Sequence, residues 1–202
     1  MKKIIISLVL LLSILSSITA CGPKTPPEPN PPAPTVYEVL EELADKEYTS
    51  VKLGIVTVTG GIRLAADYVL TKNSVRYSVE QIRKLPTDGD IIDLPIEYKT
   101  TLTGTAAVNG GNVVLDGTDV TLPSYEELKG NFDFSEANFT NAVAENGSLK
   151  ADVVSPAAFC DAGGGIHNMK VAISYSETAF NKITITYQTA DSEVTATYEF
   201  VG

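Results

Sequence analysis

The sequence predicts a mainly β domain of the α+β class: a curved antiparallel sheet of two meanders, with an N-terminal amphipathic helix and short helical insertions. Three observations carry this reading. Apolar and polar residues alternate at period two through residues 48–80 and again through 169–200, with only short turns between the runs. One stretch, residues 35–46, instead shows the 3.6-residue period of a half-buried helix. Between the blocks, from Leu122 to Phe139, the alternation lapses.

The chain begins with an address. Met1-Lys2-Lys3 is a short positive start, and Ile4 to Ile18 is almost wholly Ile, Leu, Val and Ser, as in a secretory signal. The apolar run falls short of the roughly 20 residues that a membrane span needs, and small residues and then prolines follow it at once. Ile18-Thr19-Ala20-Cys21 resembles the lipobox of bacterial lipoproteins, in which an aliphatic residue, a small residue and Ala or Gly precede Cys. The resemblance implies that the Cys21 thiol takes a diacylglyceryl group and that cleavage leaves Cys21 as the mature N-terminus. Lipid chains contribute about 0.8 kcal/mol per buried methylene, so two or three of them anchor durably where one would not. The location implied is the cell envelope, on the outer side of the cytoplasmic membrane, or on the outer membrane in a Gram-negative host. Gly22 stands where Gram-negative lipoproteins retained at the inner membrane carry aspartate. Residues 1–20 are thus expected to be a signal peptide, 21–34 a lipidated cysteine with its tether, and 35–202 a single β-rich domain.

Charge narrows the partners. Without residues 1–20, which hold Lys2 and Lys3, 13 basic and 25 acidic side chains remain, a net charge of −12. Such a surface excludes a nucleic-acid partner and an electrostatic hold on anionic lipid, so the lipid on Cys21 is the expected membrane contact. From Thr35 onward the chain is long enough for one domain with a self-sufficient core. If Cys21 is acylated, Cys160 has no disulfide partner, and in Ala157-Ala158-Phe159-Cys160 it reads as a small buried hydrophobe.

The elements follow in order. Gly22 to Pro34 holds seven of the eleven prolines, which predicts an extended spacer reaching roughly 40 Å. Thr35 and Glu38 form a capping box, after which Val36, Val39, Leu40 and Leu43 share one helix face. Val51, Leu53 and Ile55, then Ala66, Tyr68 and Leu70, then Val75, Tyr77 and Val79 face one way in three strands joined at Gly60-Gly61 and Lys72-Asn73-Ser74. Leu85 to Pro95 is a loop, and Asp88, Asp90 and Asp93 in it lack calcium-loop spacing, with Ile92 at the fifth position and Lys99 at the twelfth. Asp116-Gly117-Thr118-Asp119 reads likewise as a solvated turn. Alternation resumes from Ile96 to Val108, and Asn109-Gly110-Gly111-Asn112 turns the chain into Val113 to Leu115.

In the middle, Ser124 and Glu127 make a second capping box with Gly130 as the stop. Phe132, Phe134 and Phe139 then fall in polar surroundings, either as core anchors or as a flap over a cavity mouth. Gly147 to Val154 is a strand, Ser155 to Phe159 a one-turn helix with Pro156 at its first position, and Gly163-Gly164-Gly165 its end. Met169 to Tyr175, Ile183 to Tyr187 and Val194 to Phe200 complete the second meander. His167 is the only histidine, which rules out a multi-histidine metal site. No Ser/His/Asp ordering, metal cluster or phosphate loop is recognisable, so no catalytic residue, metal or cofactor is expected and the chain is not read as an enzyme.

In outline, this order of lipobox, proline tether, helix, meander, helical interruption and meander resembles the LolA-like group, including the lipid-carrying lipoproteins of mycobacteria. The resemblance is architectural, over Thr35 to Gly202, and implies an unclosed half-barrel whose concave side can hold an acyl chain. Two functions therefore stand side by side: a structural or protein-interaction domain displayed by its tether, with an envelope protein as partner, and a binding or carrier module for a hydrophobic small molecule.

Overall fold

Strands form where β-branched and aromatic side chains alternate with polar ones, because each such run can turn a single face to a core. The computed structural model describes residues 33–84, 97–109, 112–114 and 128–202. The first meander comprises β1 (Ser50–Thr59), β2 (Ile62–Thr71), β3 (Ser74–Lys84), β4 (Glu97–Asn109) and the short β5 (Asn112–Val114). The second comprises β6 (Phe139–Glu145), β7 (Ser148–Val153), β8 (His167–Tyr175), β9 (Phe180–Gln188) and β10 (Glu193–Val201). All ten join in one antiparallel sheet in the order β5-β4-β3-β2-β1-β10-β9-β8-β7-β6. The sheet is not closed into a barrel: β5 and β6 stand at its two edges.

The two meanders meet where the first strand pairs with the last, with Val51 opposite Phe200, Leu53 opposite Tyr198 and Ile55 opposite Ala196. Register then carries a single row of side chains across eight strands. It runs Leu149, Ile173, Ile183, Tyr198, Leu53, Tyr68, Tyr77 and Gly104. The first seven members are all buried. A slip of one residue in any strand would move its member to the opposite face. That face carries Lys52, Asp67, Arg76, Lys182 and Glu199, while Gly54, Val56, Ala65 and Ser78 on it are half-buried.

Helix α1 (Val36–Ala44) starts at the expected capping box. The Glu38 amide donates to Thr35 Oγ1 at 3.3 Å and the Thr35 amide donates to Glu38 Oε2 at 2.6 Å. Leu40 and Leu43 are fully buried and join the same core as the sheet. Burying each stabilises by about 1.5–3 kcal/mol. Helix α2 (Pro156–Cys160) is capped by Ser155 and has Pro156 at its first position, as expected. Its end differs: the left-handed residue is Asp161, with φ 51°, and the three glycines lie beyond it.

The largest difference is β6. The sequence reading opens a strand at Gly147 with nothing before it, yet Asn146 and Gly147, with φ 45° and 73°, form a two-residue turn between β6 and β7. Asn-Gly is the strongest short hairpin signal. The partner run was masked by position, because six of the seven β6 residues are exposed at the sheet edge and a bulge interrupts the register between Thr140 and Val143. The signal peptide, the lipobox with Cys21, most of the tether, the Asp88–Asp93 loop, Gly110-Gly111, Asp116–Asp119 and the Ser124–Glu127 capping box lie outside the described residues.

Candidate functional site

The inner face of the sheet is covered by chain segments that carry aromatic rings. Residues 128–138 pass over it, and Gly130 makes the passage possible: its φ is 75°, and a Cβ there would stand 2.7 Å from the Phe132 ring and 3.3 Å from Tyr198. The segment is tied down by the Asp133 amide, which donates to the Phe159 carbonyl at 2.8 Å, and by the Val154 amide, which donates to the Asn138 carbonyl at 2.9 Å. Asn138 is buried, and its side-chain amide donates to the Asp133 carbonyl at 3.0 Å. The Asp133 carboxyl is held below its usual range by the Ser135 hydroxyl and amide.

Rings then connect without a break. Phe159 packs on Phe132, Phe134 and Phe139 at centroid distances of 5.5, 6.0 and 5.5 Å; Phe134 continues to Phe180 at 5.3 Å, and Phe180 to Phe200 at 5.4 Å. Tyr37 of α1 stacks on Phe139, and Tyr48 lies 4.8 Å from Phe200. The Tyr48 hydroxyl accepts from the Phe180 amide at 2.9 Å and donates to the Leu43 carbonyl at 3.3 Å, which fixes the end of α1 against the start of β9. Of the three phenylalanines singled out in the sequence, Phe134 and Phe139 are core anchors, and Phe132 is only half-buried.

Where this ring chain reaches the surface, beside the end of α1, it leaves an open pocket of about 500 Å³. Tyr48, Val51, Leu70, Phe132, Phe134, Phe180 and Phe200 form its walls, and Asp45, Lys46, Glu47, Lys72 and Lys129 are at its rim. Thr49, Ser50 and Thr71 also line it, so half of its lining residues are polar or charged and half apolar, and apolar walls with convergent polar groups suit a small-molecule site. A second recess, of about 760 Å³, lies along β8, β9 and β10. Its polar groups largely satisfy one another: Asn168 donates to Gln188 at 2.8 Å, Gln188 to Glu193 at 3.3 Å, and Lys170 pairs with Asp152 at 2.8 Å. The aromatic pocket is therefore the candidate site.

Other residues named from the sequence do not converge on it. Cys160 is a half-buried free thiol that donates to the Pro156 carbonyl at 3.4 Å, and burial pushes its pKa up. His167 is exposed at the start of β8. Cys21 lies outside the described residues. Sequence reasoning missed Tyr48 and Phe180 as pocket residues, because each sits at the end of a strand run, where period two carries no information about what packs there. Among the described residues, no group of three or more His, Cys, Asp or Glu could hold a metal ion. No helix among them is long and apolar enough to cross a membrane. No protein-family model matches the chain, and no curated protein matches it significantly.

Proposed function

We propose that the protein is an envelope lipoprotein, anchored through Cys21, whose β domain binds a hydrophobic small molecule in the pocket walled by Tyr48, Phe132, Phe134, Phe180 and Phe200. The pocket is the observation that carries this reading: its volume falls within the roughly 300–1,000 Å³ of ligand sites, and its walls are aromatic. An unclosed antiparallel sheet with helices on its inner face also agrees with the LolA-like resemblance. The test is native mass spectrometry of the chain from Cys21 onward carrying Cys21→Ser, purified without detergent. A bound apolar molecule is expected, and Phe132→Ala should release it; an empty mass in every preparation overturns the binding reading.

A second reading, a structural or protein-interaction domain, is favoured by a specific observation. Phe134, Phe139 and Phe159 fill the inner face of the β6–β10 half, so the space a large lipid would need there is already occupied. Anchoring is common to both readings. In the full precursor, Cys21→Ser should abolish acylation and leave the protein soluble or unprocessed, and a processed, acylated membrane protein would refute the anchor.

A further inference from the structure

We infer that the ligand of the aromatic pocket is a free single-chain amphiphile with an anionic head. The inference rests on the binding reading above and adds the charge of the ligand to it. The mature chain holds 13 basic and 25 acidic side chains. Yet three of the basic residues, Lys46, Lys72 and Lys129, stand at this one rim, against two acidic residues, Asp45 and Glu47. Lysines are thus concentrated where the protein's overall field would repel an anion. The pocket also abuts the carboxyl end of α1, whose partial negative charge opposes an anion, so an anionic head there depends on the lysines. Lys46 is held in place, its Nζ donating to the Thr178 carbonyl at 2.9 Å, while Lys72 and Lys129 are exposed and able to reach a head group. The walls then take the chain, and the head stays in water among the ammonium groups.

Two dyes sharing one ring skeleton separate the charge from the pocket. Anilinonaphthalene sulfonate carries an anionic head and phenylnaphthylamine has none; both are titrated into the chain from Cys21 onward carrying Cys21→Ser. The sulfonate is expected to bind more tightly, and dodecanoate to displace it better than dodecanol. Lys72→Gln and Lys129→Gln should each weaken the sulfonate about threefold, the effect of an exposed ion pair, and leave the neutral dye unchanged. Equal affinity for both dyes, or a Lys72→Gln/Lys129→Gln double variant that binds the sulfonate as before, overturns the anionic head while leaving the pocket standing. Failure of both dyes to bind overturns the pocket reading itself, and the inference with it. Sedimentation with phosphatidylglycerol vesicles distinguishes a free amphiphile from a membrane surface: the Cys21→Ser chain should stay in solution, and lysine-dependent sedimentation would make the rim a membrane contact and overturn the inference.

Discussion

The two halves of the sheet fill the same inner face by different means. In the β6–β10 half the strands contribute aliphatic residues, Leu149, Val171, Ile173, Ile183 and Ile185, and rings, Phe139, Phe180 and Tyr198, and a further layer of rings is laid over them from outside the strands, Phe132, Phe134 and Phe159. In the β1–β4 half the strands carry their own bulk. Tyr68 and Tyr77 stand opposite each other beside Leu70 and Val75, and the Tyr77 ring lies over Gly104 on the next strand. Protein interiors must reach close packing whatever supplies the atoms. A docked layer or long side chains on the strands both achieve it, but the first makes its half depend on distant segments and the second on neighbouring strands.

Phe159→Ala is the strongest way to break this contrast. Phe159 is fully buried and packs on three other rings, so its removal is expected to cost about 3–5 kcal/mol. The loss should be local in character. Native-state amide exchange of the variant should accelerate in β6, β7 and β8 more than in β2 and β3. Uniform acceleration across the sheet would mean that the two halves are one cooperative unit and that the contrast has no energetic content.

Alkaline pH probes the seam between the halves. Tyr198 stands on β10 opposite Leu53, and burial, helped by Cys160 and Tyr187, pushes its pKa from 10.0 up to about 12. Between those values the unfolded chain has lost the phenolic proton and the folded chain keeps it, so stability is intact below pH 10 and falls as pH rises toward 12. The decline from this one group reaches about 2 kcal/mol by pH 12. Tyr48, Tyr68 and Tyr187 are displaced in the same direction by burial and add to it. Denaturant midpoints measured from pH 8 to 11.5 should fall above pH 10, and less steeply in Tyr198→Phe. An unchanged slope in that variant would place the sensitivity elsewhere.

Period two made the first meander readable from sequence, because β1, β2 and β3 each turn one face inward over part of their length: Val51 and Leu53, Tyr68 and Leu70, and Val75 and Tyr77 are all buried as expected, while Leu64 in the same row of β2 is exposed. The capping box did the same for α1. β6 was not readable, since an exposed edge strand with a bulge has no inner face to reveal it, and only Asn146-Gly147 pointed to it. The pairing of β1 with β10 was equally hidden, because residues about 150 apart in the chain carry no local sign of their register. The pocket combines both difficulties. Tyr48, Phe132, Phe180 and Phe200 come from four separate segments, and their convergence is a property of the whole sheet's topology and not of any one run.

The smallest effect tests the other half. Gly104 lies opposite Tyr77, and a Cβ at residue 104 would come within 2.6 Å of the ring carbon that bears the hydroxyl. A glycine inside a strand normally weakens it, by roughly 0.5–1 kcal/mol relative to alanine. Here it admits an aromatic ring from the neighbouring strand. Gly104→Ala is therefore expected to destabilise by about 1–3 kcal/mol through overpacking, although alanine is the better strand residue. In a Tyr77→Leu background, where the ring is absent, the same substitution should become neutral or stabilising by about 0.5–1 kcal/mol. A double-mutant cycle on the two positions measures the difference directly. Were Gly104→Ala to cost the same in both backgrounds, the ring would not be the reason for the glycine. The β1–β4 half would then have to draw its packing from somewhere other than its own tyrosines.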